Sequence, residues 1–210
     1  MVNKIKSVLF DFDGVLIDSL PVMKLAWSSV KSNFNVQNNF EEFKQYIGIP
    51  FSEILEKLTI NELKRNYITN HYSKISSQNK DKIILRKEVP TILKRLNSRG
   101  IHTGIVTSKN EVRTRELVDF FQLNISFLVT PEKTDRGKPF PDPLIFSAEK
   151  LSLNLNEILF IGDMKSDMLC AQHAKTYYLH YLEGYQNLHN QMYGGEINSL
   201  LQIEEYINFL

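Results

Sequence analysis

Asp11 and Asp13 directly follow the apolar run Val8-Leu9-Phe10. Two residues apart at the end of an extended segment, their side chains can project to the same side. Two bare carboxylates that close repel, and one is driven towards holding a proton unless a divalent cation relieves them. Gly14 then lets the chain turn tightly. Further along, Thr107 and Ser108 end the segment IHTGIVTS, Lys138 sits in the loop PEKTDRGKPFPDP, and Asp163 ends ILFIGD with Asp167 four residues on. A carboxylate pair, hydroxyls, a lysine and a second carboxylate pair can together hold Mg²⁺ and a phosphate. Mg²⁺ takes oxygen ligands and binds through few protein carboxylates plus substrate phosphate. A lysine meets phosphate oxygens as a point charge, and a hydroxyl donates to another oxygen. Each residue alone has a plainer reading: Lys138 as a solvated loop residue, Thr107 bonding its own backbone, Asp167 favouring a helix start.

Stepping along the chain, apolar strand-like runs stand at 8–10, 101–108, 125–130, 158–163 and 176–182. Helical spacing of apolar residues fills the intervals near 89–96, 112–121, 144–151 and 166–174, with a last helix near 203–209. Alternating strands and helices predict an α/β fold, a doubly wound parallel sheet with helices on both faces. In such sheets ligands bind beyond the carboxyl ends of the strands, which is where all the residues above fall. The stretch from Leu20 to Gln78 reads as helices alone. Pro21 suits a first turn, Asn39 caps a second helix, Ser52 caps a third, and Leu63, Tyr67, Ile68 and Tyr72 mark a fourth. These are either further core helices or an insertion. A stretch of roughly 60 residues suffices for a small separate bundle, so the expected organisation is a core of residues 1–18 and 83–210 with a helical insertion at 19–82.

Composition narrows the class. A formal net charge of +1 gives no reason to expect nucleic acid or an acidic membrane surface as partner. The lone Cys170 cannot make an internal disulfide and, in the setting DMLCAQHA, reads as helix packing; a reducing cytoplasm is the expected location. No apolar run approaches the ~18 residues of a membrane span, and the opening MVNKIKSVLF lacks the long apolar region of a signal peptide. Lys109, Lys133 and Arg136 are candidates to meet a polar or anionic substrate, or plain surface charges. His71, His102, His173, His180 and His189 show no metal-binding spacing.

The four segments also resemble the haloacid dehalogenase (HAD) superfamily of hydrolases, in particular phosphoglycolate phosphatase-like members with a helical cap. DxDG stands as Asp11 to Gly14 with Asp18 and Ser19 after it, the strand-ending hydroxyl is Thr107 in GIVTSK, the lysine is Lys138 in GKPFPDP, and GDxxxD is Gly162-Asp163 with Asp167. The resemblance covers nearly the whole chain. It implies a Rossmann-like core with an inserted helical cap and a phosphatase acting through an aspartyl-phosphate on Asp11, with Asp13 as general acid and then base. It implies Mg²⁺ held by the Asp11 side chain, the Asp13 backbone carbonyl and Asp163, with Asp167 as ligand or outer anchor, and Thr107, Ser108 and Lys138 on the phosphoryl group. Dehalogenases lack the second aspartate and transport ATPases carry threonine there. The nearest rival is an intramolecular phosphomutase, whose fourth motif resembles EDS where this chain has GDM; a non-catalytic binding domain is the rival from another class. The expected substrate is a small phosphorylated metabolite, a sugar phosphate or a short phosphorylated acid or alcohol, turned over by a monomer or dimer. Gly48-Ile49-Pro50-Phe51 resembles the loop that relatives lower over the site, or is a turn between helices.

Overall fold

A computed structural model describes residues 5–188 and 193–209; His189 lies outside them. The chain opens with β1 (Ser7–Phe10), then the short β2 (Ile17–Asp18), and enters four helices, α1 (Leu20–Phe34), α2 (Phe40–Lys44), α3 (Phe51–Lys57) and α4 (Glu62–Gln78). It returns through β3 (Ile84–Leu85) to α5 (Val89–Ser98), β4 (His102–Val106), α6 (Glu111–Phe120), β5 (Phe127–Val129), α7 (Asp142–Leu151), β6 (Ile158–Gly162), α8 (Lys165–Ala174), β7 (Tyr177–Tyr181), β8 (Gly195–Ile197) and α9 (Ile203–Phe209).

The large sheet has the order β5-β4-β1-β6-β7-β8, and each pairing in it is parallel. Val8 and Phe10 face one way, into a core shared with α5, α6 and α9; Leu9 faces the other, into a core with α7 and α8. This alternation is what a period of two imposes on a strand buried on both faces, and each large apolar side chain so buried contributes about 1.5–3 kcal/mol. Successive strands run outward from β1 on both sides, so the sheet changes direction between β1 and β6. The crevice beyond the strand ends at such a switch point is the natural ligand site.

The four helices build a third apolar cluster around Trp27, Phe43, Leu55 and Ile68, which Met164 joins from the sheet side. Trp27 stacks on Phe43 with ring centroids 4.7 Å apart, and Phe51 lies 4.4 Å from Tyr72. β2 and β3 pair antiparallel, Ile17 with Leu85 and Asp18 with Ile84, so the chain enters and leaves the helical lobe side by side.

Asn39 caps α2 with a full capping box to Glu42, as its type predicts. Ser52 does not cap α3. The helix begins one residue earlier, at Phe51, with Pro50 in the cap position, and Ser52 lies within its first turn. The two-residue strands β2 and β3 and the three-residue edge strand β8 are too short to register as apolar runs.

Candidate active site

Asp11 follows β1, and its amide still donates to Ile161 O at 2.8 Å, so the strand pairing carries it to the mouth of the crevice. The side chain is buried, accepts from the Phe12 amide at 2.7 Å and lies 2.9 Å from Lys138 Nζ. Burial pushes its carboxyl up to about 7, outweighing the lysine. Asp13 accepts from Ser19 Oγ on one oxygen and meets Lys109 Nζ at 3.0 Å on the other.

Asp163 leaves β6 fully buried, its carboxyl also raised by burial and by the nearby Asp11. One oxygen accepts from the Tyr185 amide at 2.6 Å; the other has no hydrogen-bond partner among the described residues. Two glycines press on it. A Cβ on Gly14 would fall 2.1 Å from Asp163 Oδ2, and one on Gly184 would fall 2.1 Å from Asp163 Cβ. Gly14 also has a φ of +91°, which disfavours any side chain.

Asp167 sits in the first turn of α8, where one oxygen accepts from the amides of Asp163 at 3.2 Å and Met164 at 3.0 Å. The other lies 2.6 Å from Lys138 Nζ. That lysine, buried on the loop after β5, also donates to Val106 O at 3.4 Å. Burial alone would lower its ammonium, but Asp11 and Asp167 more than offset this and hold it raised and charged.

Carboxylate oxygens of Asp11, Asp163 and Asp167 lie within 4.8 Å of one another. An all-oxygen donor set with an unpartnered buried oxygen on Asp163 suits a hard divalent cation, and without one the carboxylates must share protons or lean on Lys138.

Thr107 ends the β4 segment, buried, with its hydroxyl accepting from the Lys109 amide at 3.1 Å. The Ser108 hydroxyl instead donates to Gly48 O at 2.8 Å, and Ser166 Oγ reaches the same carbonyl at 3.3 Å. The Gly48 turn is thereby tied to both sides of the crevice. Lys133 and Arg136, read in the sequence as candidate substrate contacts, are spent on Glu111 at 2.8 Å and Asp142 at 2.9 Å.

Between the strand ends and the helical lobe lies a cavity of about 360 Å³. Asp11, Asp13 and Thr107 line it on the sheet side, and Phe43, Phe51 and Tyr72 on the other. Burial and the Asp13 carboxylate hold the Tyr72 phenol protonated.

Two contributors had no motif to announce them. Tyr185 gives its amide to Asp163, while its hydroxyl accepts from the Ser19 amide at 2.8 Å and donates to Asp18 at 3.3 Å. Arg113, buried on α6, donates to Ser76 O at 2.8 Å and Ser77 Oγ at 3.1 Å on α4. The glycine before Tyr185 was the single available signal, since a glycine just past a strand often marks a close backbone approach.

The profile of the family described as haloacid dehalogenase-like hydrolase matches residues 8–180. The candidate pyrophosphatase PpaX of Clostridium perfringens is 32% identical over 175 residues, covering 81% of this chain and 80% of that protein. The phosphoglycolate phosphatase of Aquifex aeolicus is 26% identical over 194 residues, covering 88% of each. Among solved structures, a hydrolase from Pseudomonas syringae superposes with a TM-score of 0.87 at 22% identity, covering 99% of each chain. The similarity thus extends from the strand bearing the first aspartate to beyond the one bearing Asp163, and on it we conclude that this protein belongs to the haloacid dehalogenase-like hydrolases.

Proposed function

We propose that the protein is a Mg²⁺-dependent phosphatase of small phosphorylated metabolites that works through an aspartyl-phosphate on Asp11. The observation that carries this is the placing of a second carboxylate, Asp13, on the same cavity as the buried Asp11, whose own partner is the charged Lys138. An Asp11 oxygen attacks phosphorus as the bond to the leaving oxygen breaks, which splits one hard displacement into two. Asp13 gives that oxygen its proton and then takes one from the attacking water. The water's oxygen displaces the Asp11 carboxylate, and inorganic phosphate leaves. Thr107 and Lys138 hold the transferring phosphoryl group and meet its developing charge, with Ser108 at the rim beside Thr107.

The Asp11 side chain, the Asp13 backbone carbonyl and Asp163 would hold Mg²⁺. Bound there, the ion neutralises the carboxylates and draws charge from the phosphoryl oxygens. Asp167, with both oxygens engaged by amides and Lys138, fits the role of outer anchor for that set.

Residues 19–82 form the cap in this reading, closing over the leaving group to exclude water until the first step is done. A cytoplasmic setting belongs to the same reading, in keeping with the buried, protonated Cys170 thiol.

The test is release of inorganic phosphate from a panel of small phosphate esters, with and without Mg²⁺. We expect Mg²⁺-dependent release by the wild type and a loss of at least ~10³-fold in Asp11→Asn, since the covalent step goes with the carboxylate. Interconversion of sugar phosphates with little free phosphate would replace hydrolysis by a phosphomutase. Binding without either reaction would leave a non-catalytic domain.

A further inference from the structure

The cavity has few charges to offer a leaving group. Lys109 and Arg113 are the cations of its lining, and both are already held. Lys109 lies 3.0 Å from Asp13, and the Arg113 terminal nitrogens reach Glu116 at 2.5 Å, Ser77 Oγ and Ser76 O, with its Nε buried away from the cavity's solvent and unpartnered among the described residues. Glu132 adds a further carboxylate to the wall. A leaving group with its own carboxylate or phosphate would have to draw Lys109 or Arg113 out of a partly buried pair, which is costly.

The lobe side offers something else. Phe43, Phe51 and Tyr72 pack with ring centroids 4.4–6.2 Å apart and form an aromatic wall. On the same wall the hydroxyls of Thr69, Tyr72 and Ser73 make no hydrogen bond within the described residues. Aromatic faces beside open neutral hydroxyls match a ligand that is apolar on one face and hydroxylated at its edge. The volume, at the low end for a ligand pocket of ~300–1,000 Å³, suits a single ring with its phosphate.

We infer that the leaving group is an uncharged, hydroxylated ring with an apolar face, the chemical class of a monosaccharide, and that leaving groups bearing a carboxylate or second phosphate are selected against. This rests on the phosphatase reading above, and it sets this chain apart from the two relatives, named for pyrophosphate and phosphoglycolate.

The experiment compares kcat/KM for hexose phosphates, benzyl phosphate, methyl phosphate, phosphoglycolate and pyrophosphate with Mg²⁺ present. Hexose phosphates should exceed phosphoglycolate and pyrophosphate by about 100-fold or more. In Phe51→Ala the ratio of hexose phosphate to methyl phosphate should fall about tenfold, as the ring loses its platform. Thr69→Lys places a cation on the half-buried wall at a helical position that lysine favours. It should raise the ratio of phosphoglycolate to hexose phosphate about tenfold. Equal or better turnover of phosphoglycolate or pyrophosphate by the wild type would overturn the inference and leave the phosphatase reading standing. A preference for benzyl phosphate over every hexose phosphate would overturn its hydroxylated half. No phosphate from any of these compounds would remove both.

Discussion

The Asp163 carboxylate has almost no room to turn. The Tyr185 amide fixes one oxygen, and the backbones of Gly14 and Gly184 close on it from two sides. Gly184 has no need of the left-handed conformation, so an added methyl there acts by contact alone. We expect Gly184→Ala to weaken Mg²⁺ binding by about 10–100-fold, the effect typical of disturbing a ligand's support, as measured by titration calorimetry. Unchanged affinity would exclude Asp163 from the ion. Asp11, Asp13, Thr107, Lys138, Asp163 and Asp167 were all legible as residues, because acids, hydroxyls and a lysine at strand ends have few other reasons to recur in that order. Gly184 and Tyr185 were not, since a single backbone donor leaves no signature in residue type.

Among the elements, the contact between α4 and α6 bears on both stability and the cavity. Arg113 satisfies the Ser76 carbonyl near the end of α4, and Glu116 gathers Arg113, Lys80 and Ser77. Removing the guanidinium leaves that carbonyl with only the longer bond from the Asn79 amide at 3.4 Å and takes a charged partner from Glu116. Arg113→Ala should therefore lower unfolding free energy by about 2 kcal/mol, seen as a lower urea midpoint with an unchanged slope. A midpoint within error of wild type would mean that water takes over these bonds. The elements themselves were largely legible, because apolar runs of period two and 3.6 are strong signals over five or more residues. The exceptions have local causes. Pro50, with its fixed backbone angle, starts α3 ahead of Ser52. β2 and β3 owe their pairing to being brought together, not to their own sequence.

For the molecule as a whole, burying Asp11 and Asp163 so near each other makes stability depend on pH and on the ion. Asp11 titrates near 3.8 in an unfolded chain and is raised to about 7 by burial here. Between those values the folded protein holds a proton that the unfolded chain has lost, so stability falls as pH rises through that window. Asp163, also raised, acts in the same direction. Glu116 and Glu157, held below their usual range, act with opposite sign and only at lower pH. In a chelator, Tm should therefore drop as pH rises from about 4 to about 7. Excess Mg²⁺ should raise Tm more at pH 8 than at pH 5, because the ion binds the deprotonated carboxylates. Thermal melts across pH check this, and Asp11→Asn should flatten the decline. A chelated protein whose Tm climbs through this range would refute the account.

What the sequence determined by itself was the alternation of strands and helices, the place of the all-helical stretch in the chain, and the residue types standing at the strand ends. Those follow from periodicity and from chemistry local to a few residues. Only the folded chain decided which groups face one another: Lys138 between Asp11 and Asp167, Tyr185 against Asp163, Ser108 on Gly48, and an aromatic wall across from the aspartates. These partners lie tens of residues apart along the chain, and the burial that shifts the Asp11 carboxyl exists only once separate segments exclude water together.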